Sequence, residues 1–152
     1  LAKIGKGLHD ELEAATRAGA DGVARIRRRL NQYKVEVVPN TLGMNGGNIR
    51  IVRKVGNPRI LDGNAKKGWE HIQKRHMPPD GEADLFAPGT TREQLQQASD
   101  EIVQKGVRTS SPTRPVQVFE RRMIINGLRA NYRVVVDTVD DSVVTIFPVL
   151  GG

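Results

Sequence analysis

The sequence predicts an α+β fold: N-terminal helices packed on a twisted antiparallel sheet that ends in a three-stranded meander. Three observations predict it. Apolar residues recur at helical spacing over residues 1–31 and again over 91–104. Strand-like runs occur at 33–38, 49–55, 116–125, 132–137 and 142–149. The last three runs are joined by the turn signals Asn126-Gly127 and Asp140-Asp141, which suit antiparallel neighbours. The 152 residues divide into a helical lead-in over 1–31 and one compact domain over 32–152. That length buries a core without disulfides or a structural metal.

In the lead-in, Leu8, Leu12 and Ala15 share a helical face, and Val23, Ile26, Arg27 and Leu30 continue the spacing. Gly19 and Gly22 weaken the middle, so two short helices fit as well as one. Arg25, Arg27, Arg28 and Arg29 form a basic run, either a solvated face or an RNA-contacting one. Tyr33 to Val38 alternates as a strand and Pro39-Asn40 ends it; 42–48 is a Gly/Asn-rich loop, and Ile49 to Val55 is a second strand. Asn64 or Gly68 opens a short helix that Pro78 and Pro79 terminate, because proline cannot continue a helix. Thr91-Arg92-Glu93-Gln94 is a capping box. The helix that follows runs to about Gln104, with Leu95, Ala98, Ile102 and Val103 inward and Gly106 as its stop.

Composition narrows the chemistry. The absence of cysteine excludes disulfides, thiol catalysis and Cys-based zinc sites. A net charge of +7 suits a polyanionic partner. Aromatic content of 4% makes base-stacking a minor part of any nucleic-acid contact. No stretch approaches the roughly 20 apolar residues of a membrane span, and no segment reads as a signal peptide, so none is expected within these residues. The chain opens at Leu1 rather than Met and closes at Gly151-Gly152 soon after its last strand, as expected of a C-terminal module of a larger protein.

The segment Trp69-Glu70-His71-Ile72-Gln73-Lys74-Arg75-His76 holds two of the three histidines. Histidine gives and takes protons near neutral pH, and Lys and Arg stabilise anionic phosphate. These are the parts of metal-free RNA cleavage. On a helix, Lys67, His71 and Arg75 share one face, while His76 lies well around it and could still join the site if the last turn unwinds before Pro78. Trp69 and Ile72 pack inward and anchor the segment. Zinc is disfavoured, since His-x-x-x-x-His lacks the paired spacing of helical metalloproteases and no thiolate completes a site. Asp80, Glu82 and Asp84 match no calcium loop. No cofactor is expected. In Val107–Pro115, Thr109, Ser110 and Arg114 either grip a phosphate or form a polar linker.

From Trp69 to Pro148 the chain resembles the bacterial EndoU-like ribonucleases and the wider superfamily of barnase, EndoU, colicin tRNases and RelE. The matching pieces are Trp-Glu-His-Ile-x-x-Arg-His, the helix over 91–105, the Asn-Gly turn, Tyr-Arg-Val-Val-Val-Asp at 132–137 and Val-Thr-Ile-Phe-Pro at 144–148. The resemblance covers about the last 90 residues, none of it in residues 1 to about 60, and implies that 32–152 is a nuclease domain. It implies a C-terminal toxin of a polymorphic or contact-dependent inhibition system, secreted or displayed by its producer and acting in the cytoplasm of the target bacterium. The partners implied are RNA, with tRNA preferred, and a cognate immunity protein; elongation factor Tu is a candidate host factor. The family often has a pocket tyrosine near the threonine of its ending, where this chain has Phe147. The usual third residue of EndoU enzymes, a lysine, has no unambiguous match.

The mechanism so implied needs no metal. One histidine takes the proton of the ribose 2′-hydroxyl and the other protonates the departing 5′-oxygen. A cation stabilises the pentacoordinate phosphate. The expected catalytic set is His71 as base, His76 as acid or phosphate ligand, Arg75 and Thr145. Lys67, Lys74, Thr109, Ser110, Arg114, Arg133 and Phe147 are expected to bind substrate. The competing classes are a non-catalytic RNA- or ribosome-binding module and a metal-dependent DNase.

Overall fold

The computed structural model describes residues 31–38 and 48–151. The predicted lead-in helices, with their arginine run, and most of the Gly/Asn-rich loop lie outside the described residues. The chain forms two compact units, Leu1–Lys54 and Val55–Gly152.

In the first unit, β1 (Tyr33–Val38) and β2 (Asn48–Arg53) pair antiparallel, with Tyr33 opposite Arg53 and Val38 opposite Asn48. Opposite charges meet across the pair: Glu36 faces Arg50 and the two side chains form a 3.0 Å ion pair. The second strand ends at Arg53 rather than Val55.

The second unit is α+β: two helices and a four-stranded antiparallel sheet. Its helices are α1 (Trp69–His76) and α2 (Arg92–Lys105). The strands β3 (Val107–Arg108), β4 (Val116–Ile125), β5 (Leu128–Asp137) and β6 (Ser142–Val149) lie in chain order. The meander β4-β5-β6 is the one predicted. The two-residue β3 is an addition to it, too short to give a periodic signal.

Local chemistry sets the boundaries. Thr91 caps α2 with a full capping box: its hydroxyl accepts from the Gln94 amide, and the Gln94 side chain accepts from the Thr91 amide at 2.9 Å. Gly106 stops α2, though not by left-handed backbone, since its φ is −77°. Close approach explains it: a Cβ there would lie 2.4 Å from the Ile102 carbonyl oxygen and 2.6 Å from that of Glu120. Asn126 and Gly127 both have positive φ, as a two-residue hairpin turn requires. That turn fixes the β4–β5 register, with Ile125 opposite Leu128 and Glu120 opposite Arg133.

One sheet face carries the core. Leu95, Ala98 and Ile102 of α2 belong to one cluster with Phe119, Tyr132, Val134, Val136, Val143 and Ile146, joined by Ile72 of α1 and by Phe86. Strand alternation turns Glu120, Asn131, Arg133, Thr145 and Phe147 to the other face. A register shift at Val135/Val136 leaves Val144 without a β5 partner. Its carbonyl accepts the Gly68 amide at 2.9 Å, which ties the start of α1 to the β6 edge. Among the described residues no helix is long and apolar enough to cross a membrane.

Candidate active site

The eight-residue α1 carries both site histidines. It has no side-chain cap; instead its first amides, Trp69 and Glu70, donate to the carbonyls of Leu61 and Asp62 at 2.8 and 2.9 Å. Gly68 makes this possible. Its φ is +82°, and a Cβ would lie 2.8 Å from the Leu61 oxygen. Trp69 packs on the core and Ile72 is fully buried within it, so both act as the anchors the sequence implied. Met77 is extended, as a residue before proline prefers, and the helix ends there.

The structure corrects the expected face of Lys67, His71 and Arg75. Lys67 precedes the helix, because Gly68 is not helical. Its ammonium turns to Asp140 at 2.7 Å and Asp137 at 3.4 Å. The hydrogen bond to Asp140 raises its pKa, and the same bond, followed by that from Ser142, lowers the Asp140 pKa. Lys67 is therefore a charge already matched by two carboxylates, not an open phosphate ligand.

His76 reaches the site without unwinding of the helix. Its ring lies edge-on to that of His71, with centroids 5.9 Å apart, and stacks on Phe147 at 4.9 Å and 17°. Each histidine Nδ1 meets a carbonyl oxygen: Ala65 for His71 at 3.0 Å, Ala83 for His76 at 2.8 Å. A carbonyl only accepts, so each Nδ1 carries the proton and Nε2 is left for proton exchange in the neutral ring. His76 is 5% exposed. Burial lowers its pKa below 6.5; the carbonyl of Ala83 opposes this, while nearby positive charge on His71 and Arg75 adds to it.

That shift has a consequence for stability. The unfolded chain binds a proton at His76 near 6.5 and the folded chain only at lower pH. The contribution is complete above 6.5 and is lost as pH falls from there toward the folded value. Urea denaturation from pH ~7.5 down to ~5 is expected to show a falling unfolding free energy, and His76→Gln a shallower fall. Equal slopes in the two proteins would contradict the assignment.

His71 opens into a cavity of about 310 Å³ lined also by Lys66, Lys74, Arg75 and Glu82. Arg75 and Glu82 form an exposed 3.3 Å ion pair. Lys66 and Lys74 are exposed and have no ion-pair partner among the described residues, so the cavity has a net positive lining. Next to Phe147 on the same sheet face, Thr145 is buried, and its hydroxyl has no hydrogen-bond partner among the described residues. Arg133 lies 5.7 Å from the Phe147 ring centre and is held by Glu120 at 3.1 Å. Glu120 in turn accepts from Asn131 at 2.6 Å.

The structure therefore brings together His71, His76, Arg75, Lys74, Phe147 and Arg133, with Thr145 on the same face. It does not bring in Thr109, Ser110 or Arg114. The Thr109 amide bonds Val118, which lies opposite Val135 and, beyond it, Thr145. That is three strand spacings, about 14 Å. Ser110 is used internally: its hydroxyl donates to the buried Gln117 at 2.8 Å and accepts from the Val118 amide at 3.0 Å. The Arg114 carbonyl accepts from the same Gln117. Glu120 and Asn131 were missed in the sequence, yet the Asn-Gly turn places Glu120 opposite Arg133 by counting alone.

Among the described residues no three of His, Cys, Asp and Glu gather as a metal-binding group. No family model matches the chain, and no curated protein matches it.

Proposed function

We propose that this protein is a metal-independent endoribonuclease. One observation carries the reading: two imidazoles sit 5.9 Å apart, both with the proton turned away onto a carbonyl, and one of them, His71, lines a positively charged cavity. Paired proton-transfer groups beside cations are what internal transesterification of RNA requires. The unpartnered Thr145 hydroxyl supports the reading, since it is a buried donor with no internal use among the described residues.

The geometry favours the reverse of the expected order of roles. Burial favours the neutral form of His76, which suits a base. In the proposed step, His76 Nε2 takes the proton of the 2′-hydroxyl and the 2′-oxygen bonds to phosphorus. The bond from phosphorus to the 5′-oxygen breaks, and His71, on the cavity side, supplies the proton to that oxygen. Lys74 and Arg75 offset the charge on the pentacoordinate phosphate, Arg75 by leaving Glu82. The products are a 2′,3′-cyclic phosphate and a 5′-hydroxyl.

The narrower reading rests on resemblance. The histidine segment, the meander and the Thr-Ile-Phe-Pro ending support a barnase–EndoU–colicin–RelE type of domain. In that setting it would be an antibacterial toxin delivered from the producer's surface or secreted, cutting tRNA in the target cytoplasm and held in check by an immunity protein, with elongation factor Tu as a candidate helper.

Incubation of the chain with total bacterial RNA and EDTA, followed by mapping of fragment ends, tests the proposal. Discrete fragments with cyclic-phosphate and 5′-hydroxyl ends are expected. RNA left intact even after cell extract is added overturns it, and activity abolished by the chelator points instead to a metal-dependent nuclease.

A further inference from the structure

On the sheet face turned away from the core, one register row crosses all four strands: Phe147, Arg133, Glu120 and Val107. Three strand spacings make it about 14 Å long. One end is the His76–Phe147 stack. The other end opens into a cavity of about 490 Å³ lined by Lys105, Thr109, Glu120, Arg121, Arg122 and Asn131.

The lining is rich in donors and poor in acceptors. Its one carboxylate, Glu120, is already engaged by Arg133 and Asn131. Arg122 is exposed, with no ion pair among the described residues. Lys105 has only a 4.0 Å contact with Glu101. Arg121 donates to the Lys105 carbonyl at 3.3 Å, while its Nε is buried with no partner among the described residues. Three cations against one matched carboxylate call for an anion. No aromatic ring lines the cavity, so the ligand would be held by its phosphates rather than by stacked bases.

We propose that this cavity is a second subsite, which binds the backbone phosphates of a single-stranded RNA segment flanking the one held at the histidine pair. The inference rests on the ribonuclease reading. The Arg133–Glu120–Asn131 chain is the bridge between the two sites, and the row between them is longer than one nucleotide. The substrate is therefore an RNA strand laid across the sheet from β6 to β3. Contacts to phosphate alone make the second subsite indifferent to sequence and sensitive to salt.

The test measures binding and cleavage separately, on the full chain and on the double variant Lys105→Ala/Arg122→Ala. Both side chains are exposed and lie on α2 and β4, not on α1. Binding is read by anisotropy with uncleavable 2′-O-methyl RNA, as a dinucleotide and as an oligomer of about eight nucleotides. The parent should bind the longer RNA at least about tenfold more tightly, and the variant should lose most of that gap and about 1.4 units of salt slope, about 0.7 for each lost phosphate contact. A parent that binds both lengths alike, or a variant that keeps the gap, overturns the subsite. Cleavage of the all-ribose versions is scored in parallel, where the variant should lose activity on the long RNA and keep it on the dinucleotide. A parent that cuts neither length while showing the binding gap overturns the nuclease reading and leaves the phosphate track standing.

Discussion

His71→Ala and His76→Gln should each lower RNA cleavage by about 10²–10⁴-fold, the range typical for removal of a general acid or base. The two substitutions differ because the two side chains differ. His71 is partly exposed at the cavity, so truncation to alanine removes its proton chemistry and little packing. His76 is buried against Phe147, and alanine there would leave a hole and confuse lost activity with lost structure. Glutamine keeps a donor for the Ala83 carbonyl and most of the volume, but cannot accept a proton at neutral pH. Thermal melts and circular dichroism should be close to the parent for His71→Ala. Full activity in a folded His76→Gln protein would show that His76 is a packing residue and would remove it from the proton-transfer pair.

Ile72→Ala should destabilise the second unit by about 2–5 kcal/mol, the cost of a large-to-small change in a closed core. Ile72 is fully buried and lies on the same face of α1 as His76. An eight-residue helix has no stability of its own in water, so α1 exists only through its packing. Losing that anchor should lower the melting temperature by more than about 10 °C. Cleavage should fade at temperatures where the sheet is still intact, because α1 releases first. Val107→Ala is the matching control: Val107 is 69% exposed, and its loss should change stability by less than about 0.5 kcal/mol. A melt of Ile72→Ala within a few degrees of the parent would mean that α1 is not held by this contact.

Much of the second unit was legible in the sequence, and the reasons are local. The Thr91–Gln94 box, the Asn126-Gly127 turn and the alternation of β4 to β6 each specify their structure over a few residues, and each appears where expected, except that β5 begins at Leu128, four residues before the predicted Tyr132. The inward set Leu95, Ala98 and Ile102 follows from helical spacing in the same way. The β3 strand was illegible, since two residues carry no period and its pairing is decided by β4. Gly106 stands at the stop the sequence predicts, but what requires a glycine there is partly tertiary: a Cβ would meet the carbonyls of Ile102 and of the distant Glu120.

The site divides along the same line. Sequence alone determined that two histidines, a lysine and an arginine lie within one short segment closed by prolines, and that Arg133, Thr145 and Phe147 sit in alternating strand positions. Tertiary structure decided which of them meet. Lys67 was withdrawn by Asp137 and Asp140, residues some 70 positions away. Ser110 was consumed by Gln117, and Thr109 and Arg114 were left at the far edge of the sheet. His76 gained Phe147 as a neighbour and lost its solvent, which shifted its proton affinity. The physical reason is one of range. Helix period, turn geometry and capping act within a few residues and are written in the chain. Desolvation and charge pairing depend on what the fold carries into contact from elsewhere, and these lower the proton affinity of His76 and close Lys67 off with two carboxylates.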